Sequence, residues 1–500
     1  MSLLLTFALR DAGFKACAIA PRFEGARLQP CRRLRNVDWD SAPEGRFSRT
    51  CRNLSLGFLA LLLCRLSLAA QQPTILFTAA PVYDSLAALH GAERFPRGAQ
   101  LMILRGGHAT PLVPGFAASV DASLSFDGKT LLFAGKQSAG DPWQIWNIAL
   151  DGGSPQRVLT ASADLIRPLW LPDRRLVYAR RTPTGFALET AALDGSAVQR
   201  LSFLPGNFIP DDVLRDGRVL FESLFPLGSG ASGTPEMYLV YTDGSGLESV
   251  RCDHRALLQQ SREHGRQMQS GDIVFTHGAK LARFTSALAE EARLTVPVAD
   301  YAGDIAEQTD GRWIASLRKP SEKHYALAIL KPGTAARSVV LQRDPDRDLV
   351  EPVILAPRPI PNRHPTALHS WTIGNLLALD ARLSRSGNLK TTPASVRAET
   401  LDAEGRIVNL GIAPIENDGS FFVQAAGDRP LRFILLDQQG RTVREEHGWF
   451  WIRSGEQRIC VGCHTGPERA PDNRLPQVLL RTTTPVALLG TSGSPAEGGR

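Results

Sequence analysis

A repeated turn narrows the fold more than any other feature of this chain. Asp-Gly pairs at Asp151, Asp194 and Asp243 stand 43 and 49 residues apart, each flanked by alternating apolar runs. Asp-Gly between such runs is a strong hairpin signal, because Gly supplies the positive φ that tight hairpin turns need. A turn followed by an apolar strand also recurs, as FDGKTLLFAG from Phe126, LPDRRLVYARR from Leu171, LRDGRVLFES from Leu214, QSGDIVFTHG from Gln269 and TDGRWIASLR from Thr309. A second apolar element follows each of these, from Trp146, Ala187, Met237, Leu281 and Tyr325. A period of this length corresponds to one four-stranded blade. A blade cannot bury both faces alone, so blades are expected to stack around an axis.

An earlier pair, from Ile75 and Gln100, raises the count to six, and the strand from Leu349 is expected to complete a seventh. The Asp-Gly-Lys turn leading into an apolar strand resembles the repeats of TolB-type β-propellers. That resemblance implies a fold over residues 74–355 and says little about activity, since propellers host many functions. Each blade contacts mainly its neighbours, so a piece ending near Pro361 is expected to fold alone.

Pro352, Pro357, Pro359, Pro361 and Pro365 mark a stiff linker. Beyond it, short apolar segments alternate with Asp/Gly turns, with hairpin tips at Asp402 and Asp437 and a strand start at Gly419. The pattern predicts a small antiparallel, sandwich-like β-domain over residues 365–454. The fold class expected for the whole is all-β: a six- to seven-bladed β-propeller, a small β-sandwich-like domain, and a C-terminal haem-binding segment at 455–480.

The haem assignment rests on Cys460-Val461-Gly462-Cys463-His464. Two cysteines, two spacers and a histidine form the attachment signature of haem c. Cys460 and Cys463 would each add to a porphyrin vinyl group, and His464 would be the proximal iron ligand. A zinc knuckle would want two further Cys or His ligands at short spacing, which the sequence after His464 does not supply. The usual sixth ligand of electron-transfer haems is Met, yet no Met follows Met268. His447 is the nearest histidine and is the candidate distal ligand; His364 and His369 are the others. Trp449, Phe450 and Trp451 read as core and haem-pocket packing. Arg453, Arg458 and Arg469 are candidate partners of the haem propionates.

The segments DGSFFVQAAGDRPLRFILLD, HGWFWIRSGEQRICVGCH and ERAPDNR together resemble the middle domain of the hydrazine synthase alpha subunit, over about residues 365–480. The resemblance implies an exported haem protein with a propeller beside the haem domain. It does not imply hydrazine synthesis, because the second haem domain of that subunit has no counterpart here.

Export is read from the other end. Leu54 to Leu63 is an apolar run preceded by Arg52 and followed by Ser67-Leu68-Ala69-Ala70, the layout of a cleaved signal peptide at 51–70. The run is too short to span a bilayer. Residues 1–50 show no periodicity, and translation is expected to begin downstream of Met1. Residues 1–70 hold 11 Lys or Arg against 5 Asp or Glu, so little of the chain's net charge of +7 belongs to the remainder. Nucleic-acid binding is therefore not expected. Four of the seven cysteines fall in the same stretch. Only Cys252 and the haem pair remain, which gives no disulfide framework. Residues 481–500 read as a disordered tail.

The function expected from these features is a periplasmic or secreted haem c redox or electron-transfer protein with a redox partner protein and no membrane span after cleavage. The alternatives are a haem enzyme with an open iron position acting on a small nitrogen or oxygen compound, and a propeller interaction protein.

Overall fold

The structure is a computed structural model and describes residues 73–224, 235–250, 261–286, 291–383, 389–446, 448–462 and 474–490. All of them lie in one compact unit that begins at Gln71. The expected signal peptide and extension, Cys252, His447, Cys463, His464 and Arg469 lie outside the described residues.

The fold is essentially all-β. Eight four-stranded sheets account for the regular structure among the described residues, with one short 3-10 turn at Ala87–His90 and a five-residue helix at Gln477–Arg481. Six sheets, all antiparallel, are built from residues 75 to 354. The expected Asp-Gly turns are their hairpins. At Asp194, for example, the carboxylate accepts the Ser196 N–H at 2.9 Å while Gly195 takes φ +81°.

Each of these sheets has a leading strand: Asp348–Ile354, Ala118–Leu124, Leu165–Trp170, Phe208–Val213, Arg262–Gln267 and Asp300–Glu307. Each leading strand touches the next in that order, and Asp300–Glu307 touches Asp348–Ile354 again. A separate apolar cluster lies between each successive pair of sheets. Phe133 and Leu124 meet Leu76 and Leu101, for instance, and Ile314 and Leu327 meet Ile75 and Phe77. The strand from Leu349 does not complete a seventh sheet. It pairs antiparallel with Ile75–Ala80, so the first and last strands of this part share one sheet. Leu349 and Val350 are buried by that pairing.

The last two sheets form the second part of the unit. One, ordered Gln457–Gly462, Ile373–Asp380, Phe421–Ala426 and Val486–Leu488, has parallel pairings at both edges. The other, ordered Ile407–Pro414, Ser395–Leu401, Arg432–Leu436 and Thr442–Glu445, is antiparallel, with the expected tips at Asp402 and Asp437. A single core cluster draws Leu376, Phe421 and Val423 from the first and Val396, Phe433 and Leu435 from the second. Val486–Leu488 falls inside the stretch expected to be a disordered tail. Leu488 is 1% exposed and closes this core, so regular structure extends past Pro485.

The two parts share a core. Trp449 and Trp451 join the cluster between the third and fourth sheets, with Leu188, Phe208 and Phe221. Trp451 is 0% exposed. Removing everything after Pro361 would strip this cluster of two indoles. A piece ending near Pro361 would therefore expose apolar surface that Trp449 and Trp451 cover in the full chain.

Candidate functional site

The leading strands are irregular in the same way. Their pairing with the following strand shifts register at Val120/Ser123, Ile166/Leu169, Pro210/Asp212, Glu263/Arg266 and Ala302/Ala306. The pairing of Asp348–Ile354 with Ile75–Ala80 shifts likewise. A β-bulge bends its strand and re-aims a side chain. Asp121, Arg167, His264 and Glu351 sit in these bulges with φ between +53° and +59°. Left-handed backbone is costly for residues with a side chain. Here the conformation turns charged groups into the interior shared by the six strands.

Arg167 is the hub. Its guanidinium donates to both oxygens of Asp304, at 3.1 and 3.2 Å, to Asp211 at 3.3 Å and to the Pro210 carbonyl at 3.2 Å. Its backbone N–H donates to Asp121 at 2.9 Å. Arg94, on the segment carrying the Ala87–His90 turn, donates to Glu351 at 2.6 Å and to Asp121. Arg266 reaches Asp212 at 3.3 Å and Asp304 at 3.4 Å. His264 contacts the Tyr83 hydroxyl through Nε2 at 3.2 Å, and its backbone N–H donates to Glu222 at 3.1 Å. Arg94 and Arg167 are 5% and 4% exposed, and Asp211, Glu222 and His264 no more than 2%.

Burial and crowding shift these groups. Burial, reinforced by the neighbouring Asp211 charge, pushes Glu222 up to about 8. Burial also raises Asp211 to about 6 against the pull of Arg167. Burial works against charge on His264, but the carboxylates of Asp304, Glu222 and Glu263 outweigh it and hold its pKa at about 9. Burial would raise Asp304 too, yet Arg167 and Arg266 keep it well below the ordinary range. Fixed charges in so dry a place act strongly on one another and on anything that enters.

Among the expected haem residues, Cys460 is described. It lies in the edge strand Gln457–Gly462, a free thiol, partly buried against the two-sheet core alongside Val443 and Phe450. Burial pushes its pKa up to about 11, and the charges of Glu446 and Glu456 act in the same direction. Glu446 immediately precedes His447, and burial raises it to about 7. A free thiol on a sheet edge with an apolar fringe fits thioether attachment of a porphyrin. His364 stacks on Tyr241 with ring centroids 3.7 Å apart, and His369 stacks on Trp371 at 4.5 Å.

One expectation changes. Trp449 and Trp451 are core, as expected, but of the junction between the two parts. Phe450 points the other way, against Phe433. Arg453 pairs with Asp428 at 3.2 Å, donates to the Arg200 carbonyl and lies over Phe203. Arg458 pairs with Glu456 at 2.8 Å.

The charged interior was missed in the sequence because the leading strands do not alternate cleanly. A usable signal was present. Asp121, Arg167, His264 and Asp304 each stand six residues before the polar residue of the following turn, at Asp127, Asp173, Ser270 and Asp310.

With this geometry in place, likeness to known proteins falls into two levels. Residues 380–465 match the family of the hydrazine synthase alpha subunit middle domain, which includes the strand carrying Cys460. In this part the chain resembles those proteins. More particularly, 60 residues are 35% identical to hydrazine synthase subunit alpha of Kuenenia stuttgartiensis, over 12% of this chain and 7% of that protein. A solved hydrazine synthase chain of Kuenenia stuttgartiensis superposes with a TM-score of 0.70, over 82% of this chain and 71% of that one. At 17% identity this is a likeness of fold. TolB from Acinetobacter baumannii gives a TM-score of 0.42 at 15% identity, over 56% of this chain and 66% of that one.

Proposed function

We propose that this chain is a periplasmic or secreted haem c protein with an open iron position, an enzyme acting on a small nitrogen or oxygen compound. The observation that carries the reading is the place of the Cys460-Val461-Gly462-Cys463-His464 motif. It begins on an apolar sheet edge, within the segment that matches the hydrazine synthase alpha middle domain. Cys460 and Cys463 would hold the porphyrin and His464 the iron. Bound there, the haem supplies redox and ligand-exchange chemistry that no side chain provides. Val443 and Phe450 would shield one side of the group from water, and Arg458 and Glu446 are the charged groups that act most on the first thioether's position.

The six sheets with their cyclic contacts support a six-bladed β-propeller, and the two facing sheets with one shared core support a β-sandwich. In this reading the propeller is the scaffold against which Trp449 and Trp451 fix the haem-bearing part, and a redox partner protein exchanges electrons with the iron. No helix among the described residues is long and apolar enough to cross a membrane.

The ligands at hand support an open sixth position. No Met follows Met268, and the rings of His364 and His369 are stacked on aromatic partners. The competing reading, an electron-transfer cytochrome with both axial positions filled, draws on the closeness of Glu446 to Cys460, since His447 comes next in the chain. Covalent attachment is tested first. Protein made with the haem-attachment machinery should keep its haem through acid–acetone extraction, and the Cys460→Ala, Cys463→Ala double variant should lose it. Covalent haem persisting in the double variant would overturn the assignment.

A further inference from the structure

We propose that Asp211, Glu222 and His264 bind one divalent transition-metal cation in the interior shared by the leading strands. The site is separate from the haem motif and does not depend on it. One donor atom from each of the three residues lies within 4.8 Å of the others, and all three side chains are buried. They come from three strands of two neighbouring sheets, Phe208–Val213, Val219–Ser223 and Arg262–Gln267, so the fold itself assembles them.

The imidazole points to a ligand. Its Nε2 is held by the Tyr83 hydroxyl at 3.2 Å, whereas its Nδ1 is buried without a hydrogen-bond partner. The nearest acceptor, Asp304 Oδ1, lies at 3.6 Å. A buried ring nitrogen left unpaired is costly. A histidine oriented through one nitrogen has the arrangement of a metal ligand and its supporting hydrogen bond, and an entering cation would displace the Nδ1 proton that faces Asp304. Glu263 adds a second orphan: its Oε2 is buried, has no hydrogen-bond partner and lies 3.7 Å from His264 Nε2.

The carboxylates are oriented as well. Asp211 Oδ2 accepts the Gly265 N–H at 3.1 Å, and Glu222 Oε2 accepts the His264 N–H at 3.1 Å. Each carboxylate oxygen has a further lone pair for an ion. Arg167 shares Asp211 through Oδ1 at 3.3 Å, but its main partner is Asp304. Among the described residues Arg94, Arg167 and Arg266 direct their charge chiefly to Asp121, Glu351, Asp304 and Asp212 rather than to Glu222 or Glu263. Two carboxylate oxygens and one imidazole nitrogen suit Zn²⁺ or Mn²⁺ better than Ca²⁺ or Mg²⁺, which favour all-oxygen sites. Three protein ligands leave at least one position for water.

The test uses tag-free, haem-loaded full-length protein stripped with chelator and dialysed against Zn²⁺ or Mn²⁺, with metal counted by mass spectrometry beside haem iron. About one equivalent of non-haem metal is expected for the wild type, and for the Cys460→Ala, Cys463→Ala variant, which removes the thiols as competing ligands. The near-isosteric Asp211→Asn, Glu222→Gln double variant should bind at least about tenfold more weakly. Wild-type protein that takes up neither metal, or a double variant that binds as wild type does, overturns the site. Should the double variant fail to fold, the wild type still decides: added metal must raise its melting temperature, and an unchanged melting temperature in both metals overturns the proposal.

Discussion

Trp451 donates its indole N–H to the carbonyl oxygen of Gly244 over 2.8 Å, which ties the segment leading to the haem motif into the hairpin of the fourth sheet. The bond is buried and sits among Phe203 and Phe208, whose rings lie 6.1 Å away in edge-on contact. Nearby, Glu456 accepts the Gly246 N–H at 3.1 Å. Sequence separation of some two hundred residues is thus closed by one side chain with a large apolar body and one donor to satisfy.

Trp451→Ala should cost about 3–5 kcal/mol, the usual loss for a buried Trp in a packed core. Thermal unfolding followed by circular dichroism should show a fall of several degrees in Tm. A piece ending at Pro361 should melt lower than the full chain for the same reason. Unchanged melting in both would mean that the junction contributes nothing.

Arg167→Ala should be more damaging than its size suggests. It leaves Asp304 and Asp211 buried beside a lost cation, and breaking a buried pair costs about 3–5 kcal/mol. Arg167→Lys should rescue little, because an ammonium cannot fork across both oxygens of Asp304 while reaching Asp211 and the Pro210 carbonyl. Denaturant titration of the two variants compares them directly, and wild-type stability for Arg167→Lys would show that the fork is unnecessary.

Glu446 gives a pH signature. Burial, opposed only in part by the Phe433 N–H, raises it from 4.5 to about 7 in the folded chain. Between those pH values the folded state keeps a proton that the unfolded state has lost, so stability falls as pH rises through the window. The loss should be about 1–3 kcal/mol after allowance for partial exposure. Glu446→Gln should flatten that part of the stability–pH curve. A variant with the same slope as wild type would place the titration elsewhere.

Much of the fold was legible because outer strands and turns obey local rules. The Asp151, Asp194 and Asp243 hairpins were readable from Gly at the required positive φ, and the strand starting near Thr130 from its apolar run. Leading strands hid for the opposite reason: a bulge at Asp121 or His264 breaks the two-residue period that marks a strand. Their charged residues become one cluster only through tertiary contacts, some between neighbouring leading strands such as Arg167 and Asp211, others across more than a hundred positions such as Arg167 and Asp304. The role of Trp451 was half legible. Its burial follows from its type, but its partner, the Gly244 hairpin, is fixed by tertiary packing. Cys460 was singled out by a five-residue motif, but its place on a sheet edge is set by the parallel pairing of Gln457–Gly462 with Ile373–Asp380.

Carbon monoxide binding by the reduced protein tests the central claim most directly. Haem-loaded wild type, reduced and exposed to carbon monoxide, is expected to form the carbonyl adduct readily and to show a high-spin ferrous spectrum before addition. His447→Ala should leave both observations unchanged. A six-coordinate low-spin spectrum with no reaction in the wild type, converted to high-spin and reactive by His447→Ala, would contradict an open iron position and make His447 the distal ligand of an electron-transfer haem.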